Sequence, residues 1–357
     1  KAGLSSFGWL RARQRTLPLT TSAFLLAAWC VFSGTVQDRW WEANCLFGLI
    51  LAMTYIATFR SIPRMLAPWS LDERLFACSL FLAFITIPCL FIRTYQQGRF
   101  VGIFGNATYS GAFLSVAVVY WTAIWLLRQR WQSVWLAMLI SSTGLLLLTR
   151  TRASLAGAAL GVAVVLAIGC LSRSWASRKA QLGTIGAVIA TAVLFCALMM
   201  DMLPFDSRKI LSFMRLDGGT HIVLASRSAN WGTGASQFLQ NGFAGEGFMS
   251  KYTHSGRKIF GINIPTYDWR TTDDPLNSLF LIEQQTGPIG AILYLIFLFA
   301  LVKVALRTQS LARGMILGFV TVGLVFGFLS GNWLLSFGDS FDRFSFVFLA
   351  VILFAPE

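Results

Sequence analysis

The amino-acid sequence predicts an all-α polytopic membrane protein. Of its 357 residues 56% are hydrophobic and only 12% are charged, which is about half the charged share of an ordinary soluble domain. The apolar stretches have the length of membrane-crossing helices rather than that of the roughly ten-residue strands of a transmembrane barrel. The 13 tryptophans and 31 phenylalanines suit lipid-facing surfaces and the aromatic belts of a membrane interface.

Stretches without charge predict about ten spans and three regions of chain. The spans fall at 18–35, 43–59, 76–92, 110–127, 132–149, 153–171, 183–200, 287–302, 314–331 and 344–355. We expect transmembrane helices over 1–200, a large polar loop with short helices over 201–286, and further transmembrane helices over 287–357. The chain begins with Lys1 rather than Met, which leaves room for missing N-terminal sequence, spans included.

The basic residues of the loops predict the side of the membrane on which each loop lies. Fifteen lysines and arginines occupy one alternating set of loops and six occupy the short loops of the other set; the long loop 201–286 is left out of the count because long loops cross the membrane largely regardless of charge. The positive-inside rule makes the first set cytoplasmic, so both visible termini are expected in the cytoplasm and residues 201–286 outside it. The net charge of +14 then indicates anionic lipid rather than nucleic acid as the partner. All six cysteines lie in apolar stretches, so we expect neither a disulfide framework nor a thiolate metal site.

Arginines also lie at span ends on the predicted outer side, against the general bias. They are Arg93, Arg99, Arg150, Arg152, Arg227 and Arg343. Arginine binds phosphate oxygens through paired N–H donors and keeps its charge near lipid, so a pyrophosphate at the outer leaflet is a matching partner. The alternative is that these side chains reach for the interface or pair with nearby carboxylates. Those carboxylates are Asp273, Asp274, Glu283, Asp339 and Asp342.

The polar segment 201–286 contains both histidines, His221 and His254. Within it, apolar spacing predicts a helix over 222–239, the glycines predict a turn over 241–247, and residues 249–275 are expected to be irregular. A histidine here is read as a solvated loop residue or as a candidate base, because imidazole titrates near neutral pH.

Four stretches, in order over about residues 99–305, resemble the O-antigen ligase and polymerase superfamily. Residues 99–107 (RFVGIFGNA) resemble the family's Arg–Gly–Phe–Asn turn before a span, and residues 148–157 (LTRTRASLAG) resemble its Ser-Arg-Gly/Ala motif opening a span. Residues 227–231 (RSANW), followed by 241–248 (NGFAGEGF), are similar to its Arg–Trp helix and Gly-x-Gly turn. Residues 276–279 (LNSL), followed by 283–290 (EQQTGPIG), are similar to its His-Asn-x-x-Leu and Glu-x-Gly-x-x-Gly signature.

The resemblance implies a bundle like those of GT-C-type glycosyltransferases and an activity in the bacterial inner membrane, with the active side periplasmic. A glycan would pass from undecaprenyl pyrophosphate to an acceptor sugar with inversion and without a metal or other cofactor. The family's two pyrophosphate-binding arginines fall on Arg152 and Arg227, which would offset charge growing on the leaving group. Further substrate-binding candidates are Arg99, Arg150, Trp231, Asn277 and Glu283.

The sequence departs from the family pattern at the general base. The ligases use the histidine of His-Asn, and this chain has Leu276 there. The candidate substitutes are Asp273, Asp274 and His254. The alternatives for the two aspartates are a polar turn and a pair of metal ligands, and Glu283 is expected to orient an arginine or cap a helix.

The function expected from these residues is glycan transfer in surface polysaccharide or lipopolysaccharide O-antigen biosynthesis. The protein would be a polymerase, joining lipid-linked repeats, or a ligase, with lipid A core as acceptor; the absent histidine favours the polymerase. A flippase or transporter of lipid-linked glycan is the alternative, and the charge-free spans weigh against it because ion-coupled transporters carry ionisable groups in the membrane. A third reading is an assembly partner that has lost the base.

Overall fold

The computed structural model describes residues 5–36, 69–92, 94–96, 98–104, 106–127, 131–171, 242–247, 252–253, 258–259, 262–263, 266–267, 278–308 and 310–330. These residues are mostly helical. The helices are α1 (Ser5–Val36), α2 (Leu71–Phe91), α3 (Ala107–Leu127), α4 (Gln132–Thr149), α5 (Arg152–Leu171), α6 (Ser278–Leu306) and α7 (Ser310–Ser330). In the described chain, α1 to α6 are each long and apolar enough to cross a membrane, and α7 has a shorter apolar stretch, Ala312–Gly327. The chain is therefore a multi-pass membrane protein.

Seven of the predicted spans coincide with these helices, and the helices confirm that the apolar stretches fold as predicted. The predicted spans at 43–59, 183–200 and 344–355 lie outside the described residues, as does the predicted helix at 222–239. The total of ten spans therefore stays a prediction.

The chain divides into two compact units. Unit one comprises residues 1–68, 227–306 and 330–338, and unit two comprises 69–226, 307–329 and 339–357. Among described elements, unit one holds α1 and α6, and unit two holds α2 to α5 with α7.

Helix α3 is the buried element of unit two, with 83% of its membrane-length window inside the protein. Trp121 of α3 stacks on Trp135 of α4 with ring centroids 5.7 Å apart. On another side, the Ser115 hydroxyl donates to the Ser154 carbonyl of α5 at 2.7 Å. An aromatic contact thus joins α3 to α4, and a hydroxyl hydrogen bond joins it to α5.

Helices α5 and α7 approach closely because each carries two glycines four residues apart, Gly157 and Gly161 in α5, and Gly314 and Gly318 in α7. A Cβ added at Gly161 would lie 2.8 Å from Val119 of α3 and 2.9 Å from the Gly318 carbonyl. Small residues at such positions let membrane helices pack backbone against backbone, which is a main source of helix association in lipid.

A short hairpin precedes α3. Strands β1 (Tyr95–Gln96) and β2 (Arg99–Phe100) pair antiparallel, with Gln96 opposite Arg99, and a 3-10 turn, Gly102–Phe104, follows. The Asn106 side chain then accepts from the backbone N–H of Thr108 at 2.8 Å, which satisfies one of the unpaired donors at the helix start. The predicted turn before a span is thereby confirmed.

In unit one, α1 and α6 pack antiparallel, and two strand pairs follow the turn at 242–247. The strands are β3 (Tyr252–Thr253), β4 (Lys258–Ile259), β5 (Ile262–Asn263) and β6 (Thr266–Tyr267). Within the described residues, β3 pairs with β6 and β4 with β5, both antiparallel. The expectation of irregular chain over 249–275 is wrong at these positions: β-favouring Tyr, Thr and Ile form ladders in runs too short to show a period.

The observed starts of α2 and α6 correct the expectation that the membrane-crossing helices lack ionisable groups. Helix α6 begins at Ser278, nine residues before the predicted span, so Glu283 belongs to it. Helix α2 begins at Leu71 and includes Arg74, whose side chain is 1% exposed. The helical backbone continues into polar sequence that a charge-free window excludes.

We expect Gly161→Leu to separate α5 from α7 and α3, because the new side chain would meet Val119 and the Gly318 backbone. Overpacking of this kind destabilises by about 1–3 kcal/mol. The matched control is Gly144→Leu in α4, where an added Cβ meets nothing within 4 Å. The measurement is the midpoint of thermal unfolding in detergent, and equal midpoints for the two variants would contradict this packing.

Candidate functional site

Unit two places three of the predicted site arginines at one corner. This arginine corner comprises Arg99, Arg150 and Arg152, together with Thr149 at the end of α4 and Thr151 just before α5. Helix α4 ends at Thr149 and α5 begins at Arg152, so residues 150 and 151 are the whole connection between the two helices. The three arginines are partly exposed and the two threonines are buried.

The end of α4 explains the position of Arg150. Its backbone is left-handed (φ 51°, ψ 34°), and its N–H donates to the Leu147 carbonyl at 3.1 Å. A left-handed residue is a common way to end a helix, though usually it is glycine. A side chain other than glycine, asparagine or aspartate in this conformation costs on the order of 1 kcal/mol, so the corner keeps an arginine where local backbone preference opposes it.

Arg99 is held against the same helix end. Its Nε donates to the Thr149 carbonyl at 3.2 Å, one of the carbonyls for which a helix end provides no internal donor. The contact joins strand β2 to the α4–α5 connection and brings the first and second motif stretches together. Two stretches fifty residues apart in sequence thus meet at one corner.

The backbone of the corner is fixed by buried hydroxyls. Thr149 Oγ1 donates to the Leu146 carbonyl at 2.7 Å and also lies 2.7 Å from Thr151 Oγ1. A Cβ at Gly111 of α3 would collide with the Thr151 hydroxyl, so that glycine lets α3 pack directly behind the corner. Neither threonine stands out in the sequence, because no motif marks a hydroxyl that supports backbone.

Unit one contains a second polar cluster where α6 breaks. At Gly287 the backbone leaves helical geometry (φ 72°, ψ −179°), and Pro288 follows. Proline has no N–H to donate to the carbonyl four residues earlier, which is that of Gln284, and the break at Gly287 carries the next N–H groups away from the carbonyls of Gln285 and Thr286. Three carbonyls therefore need donors from elsewhere.

Each of these carbonyls receives one. The Glu246 backbone N–H donates to the Gln284 carbonyl at 2.8 Å. The Ser33 hydroxyl lies within hydrogen-bonding distance of both the Gln285 carbonyl, at 2.9 Å, and the Ala244 carbonyl, at 2.5 Å. Trp29 Nε1 donates to the Thr286 carbonyl at 2.8 Å. We call this set the helix-break cluster; it comprises Trp29, Ser33, residues 242–247 and residues 283–287.

Two glycines allow the turn to reach the break. Gly245 and Gly287 both have positive φ, 68° and 72°, and a Cβ at Gly245 would lie 2.5 Å from the Gly287 nitrogen. The Phe243 ring lies 6.4 Å from that of Trp29. The turn predicted over 241–247 is confirmed for 242–247, and the glycines of the third and fourth motif stretches pack against each other.

Glu283 lies in the first turns of α6 and is fully buried, with 0% of its surface exposed. Within the described residues, neither carboxylate oxygen has a hydrogen-bond partner, and the Gln284 side-chain oxygen lacks one as well. Gln284 Nε2 donates to Glu246 Oε1 at 3.1 Å, and Glu246 also acts electrostatically on Glu283. Among the described residues Glu283 neither caps a helix nor contacts an arginine, and Arg227 lies outside them, so a pairing with an arginine stays a prediction.

The other predicted site residues lie outside the described chain, so their convergence on either cluster stays a prediction. They are Arg227, Trp231, His254, Asp273, Asp274 and Asn277. Within the described part, no group of three or more His, Cys, Asp or Glu side chains could hold a metal ion. Cys30, Cys78 and Cys89 are buried free thiols, as expected of cysteine used as a small hydrophobe.

Trp29 and Ser33 were not identified from the sequence. They lie four residues apart near the end of α1, and that spacing on one helix face is the one signal that could have pointed to them. No protein-family model matches the chain, and a comparison with curated protein sequences gives no significant match.

We expect Ser33→Ala to destabilise the protein by about 1–3 kcal/mol, because the Ala244 and Gln285 carbonyls share its one O–H donor and lose it. The matched control is Thr35→Ala on the same helix, whose exposed hydroxyl bonds only back to the Val31 carbonyl at 2.6 Å. That change should stay within about 0.5 kcal/mol. Chemical unfolding in detergent measures both, and equal losses would mean that the Ser33 contacts do not hold the cluster.

Proposed function

We propose that the protein is a glycosyltransferase of the bacterial inner membrane that moves a glycan from undecaprenyl pyrophosphate to an acceptor sugar. The observation that carries the proposal is the arginine corner. It gathers Arg99, Arg150 and Arg152 at one end of a helix bundle, on the side predicted to be extracytoplasmic. The resemblance of the motif stretches to O-antigen ligases and polymerases, and through them to GT-C-type enzymes, supports the same activity.

The corner suits a pyrophosphate for three physical reasons. Guanidinium groups bind phosphate oxygens in pairs and keep their charge near lipid. Thr149 and Arg99 fix the backbone between α4 and α5, so the charges are held before substrate arrives, and such preorganised charge stabilises a transition state most effectively. Arg152 opens α5, where the positive end of the helix dipole adds to its charge.

In the proposed reaction an acceptor hydroxyl attacks the anomeric carbon of the donor glycan. The bond from that carbon to the pyrophosphate oxygen breaks, and undecaprenyl pyrophosphate leaves. Arg152, with Arg227, offsets the charge that grows on the leaving group, and Arg99 and Arg150 bind the donor phosphates. Trp231, Asn277 and Glu283 are proposed to contribute to substrate binding.

The proton of the acceptor hydroxyl goes to a general base, for which Asp274, Asp273 and His254 are the proposed candidates. Because Leu276 occupies the position of the ligase histidine, we favour polymerisation, with a second lipid-linked repeat as acceptor, over ligation to lipid A core. The other proposed partners are membrane lipids, and no nucleic acid is expected.

A flippase for the lipid-linked glycan is the second candidate, and Glu283 favours it. A buried carboxyl within a membrane-length helix is the kind of group that ion-coupled transporters use, and the charge-free spans that weighed against transport do not hold for α6. Liposomes containing the purified protein and an undecaprenyl-pyrophosphate-linked oligosaccharide distinguish the two. Released undecaprenyl pyrophosphate means transfer, and intact donor moved to the opposite leaflet means flipping.

We expect Arg152→Ala to lower release of undecaprenyl pyrophosphate by roughly a hundredfold or more, the usual effect of removing one preorganised charge from a transition state. Arg152→Lys should be nearly as poor, because lysine lacks the paired N–H donors. Arg227→Ala should behave in the same way.

The control is Arg307→Ala, which changes an exposed arginine between α6 and α7 on the predicted cytoplasmic side. It should retain wild-type release, and all variants should be expressed at equal levels. Wild-type release by both Arg152→Ala and Arg227→Ala would overturn the role assigned to these arginines.

We expect transfer to persist in excess EDTA, because the arginines would supply the charge that a divalent metal supplies in other transferases. The measurement is the initial rate of undecaprenyl pyrophosphate release after dialysis against chelator. A rate that vanishes with EDTA and returns with Mg²⁺ or Mn²⁺ would shift the proposal to Asp273 and Asp274 as metal ligands.

A further inference from the structure

The helix-break cluster encloses an unusual set of buried polar atoms. Both oxygens of Glu283 and the side-chain oxygen of Gln284 are buried and unpartnered, and the two side chains are 0% and 1% exposed. All three atoms are hydrogen-bond acceptors when the carboxyl is ionised. The site therefore holds acceptors without donors, which is the unfavourable arrangement that folded proteins avoid.

Among the described residues around the cluster, an ionised Glu283 would also lack a neighbouring counter-charge. Helix α1 has no charged residue between Leu17 and Val36, and the turn at 242–247 contributes only Glu246, which has the same sign. On α6 the other charged residue is Lys303, twenty positions further along the helix. An isolated buried carboxylate costs many kcal/mol, and such a group takes up a proton instead.

We propose that Glu283 is a proton-binding site in the membrane-length helix α6. The proton comes from solvent water and is carried on a carboxyl oxygen. The neutral acid gives the enclosed set the O–H donor that it lacks, and Gln284 and Glu246 supply acceptors beside it.

The orientation of Gln284 supports this assignment. The carboxylate of Glu246 can only accept, so the Gln284 amide must turn its Nε2 toward it, at 3.1 Å. The Gln284 oxygen is thereby directed away from that bond and needs a donor of its own. Protonation of Glu283, the adjacent residue, supplies such a donor inside the enclosure, since the tryptophan and serine donors already serve the broken helix. Glu246 is the other carboxyl of the described cluster, but it is partly exposed and already accepts from Gln284.

The site lies four residues before Gly287, so its charge state acts where α6 is already discontinuous. Loss of the proton would place a negative charge next to Glu246 within a low-dielectric enclosure, where like charges repel strongly. Opening the contact between the turn at 242–247 and α6 would relieve that repulsion. Protonation and closure of the helix-break cluster are therefore coupled, independently of whether the protein transfers or flips its substrate.

The test compares the wild-type protein with Glu283→Gln, an isostere of the neutral acid, in detergent over a range of pH. A proton that the folded chain holds and the unfolded chain releases stabilises the fold at low pH, and that stabilisation is lost as pH rises. The unfolding equilibrium constant of the wild type should increase relative to that of Glu283→Gln by up to about tenfold per pH unit. Parallel pH profiles would overturn the proposal, and so would failure of Glu283→Gln to fold where the wild type is stable.

Infrared spectroscopy provides a direct second readout. The wild type should show the carbonyl stretch of a protonated carboxylic acid, and Glu283→Gln should lack it. The matched control is Glu73→Gln, which alters an exposed carboxylate already bonded to Ser70 at 2.6 Å and should leave the band unchanged. Profiles measured in sodium and in choline salts should coincide; stabilisation by sodium alone would identify a metal cation instead and overturn the assignment of a proton.

Discussion

The break in α6 is the constraint on which unit one depends. A proline after a left-handed glycine leaves three carbonyls without helical donors, and in a membrane there is little water to replace them. The donors come from α1 and from the turn at 242–247, so these pieces can be ordered only together. The turn at 242–247 is consequently attached to α1 and α6 through main-chain atoms of Ala244 and Glu246 as well as through the Glu246 and Phe243 side chains. Gly245 and Gly287 leave no room for a Cβ at this contact.

At the arginine corner of unit two, a carbonyl at a helix end likewise has no donor within its own helix. There α4 ends, and a side chain from a distant hairpin, Arg99, bonds to its last carbonyl. The two clusters are alike in two respects. Each lies where a helix lacks some of its own hydrogen bonds, and each contains polar side chains that apolar packing alone would exclude. Polar side chains can therefore be held near lipid while the backbone carbonyls described at both clusters keep hydrogen-bond donors.

The sequence predicted the elements better than it predicted their ends. Charge-free stretches locate α1 to α7 because a membrane imposes length and apolarity on every helix that crosses it. They misplace the start of α6, because Glu283 and its neighbours are polar yet helical and buried. The motif stretches identified Arg99, Arg150 and Arg152 together, since arginines at span ends stand out against their surroundings. They could not identify Trp29 or Ser33, whose role follows from the geometry of a break two hundred and fifty residues away.

The burial of α3 has a consequence for how the protein enters the bilayer. Of the six membrane-length helices in the described chain this one is the most enclosed. Because α4 and α5, which pack on it, follow it in the sequence, they are not yet in place when it enters the membrane. The Thr122 hydroxyl donates to the Val118 carbonyl of the same helix. The Ser115 hydroxyl lies 2.7 Å from the Gly111 carbonyl of its own helix as well as from Ser154, so it can donate to Gly111 before α5 is in place. Both hydroxyls therefore have an acceptor within α3 itself. It can dwell in lipid as a single segment until α4 and α5 assemble around it.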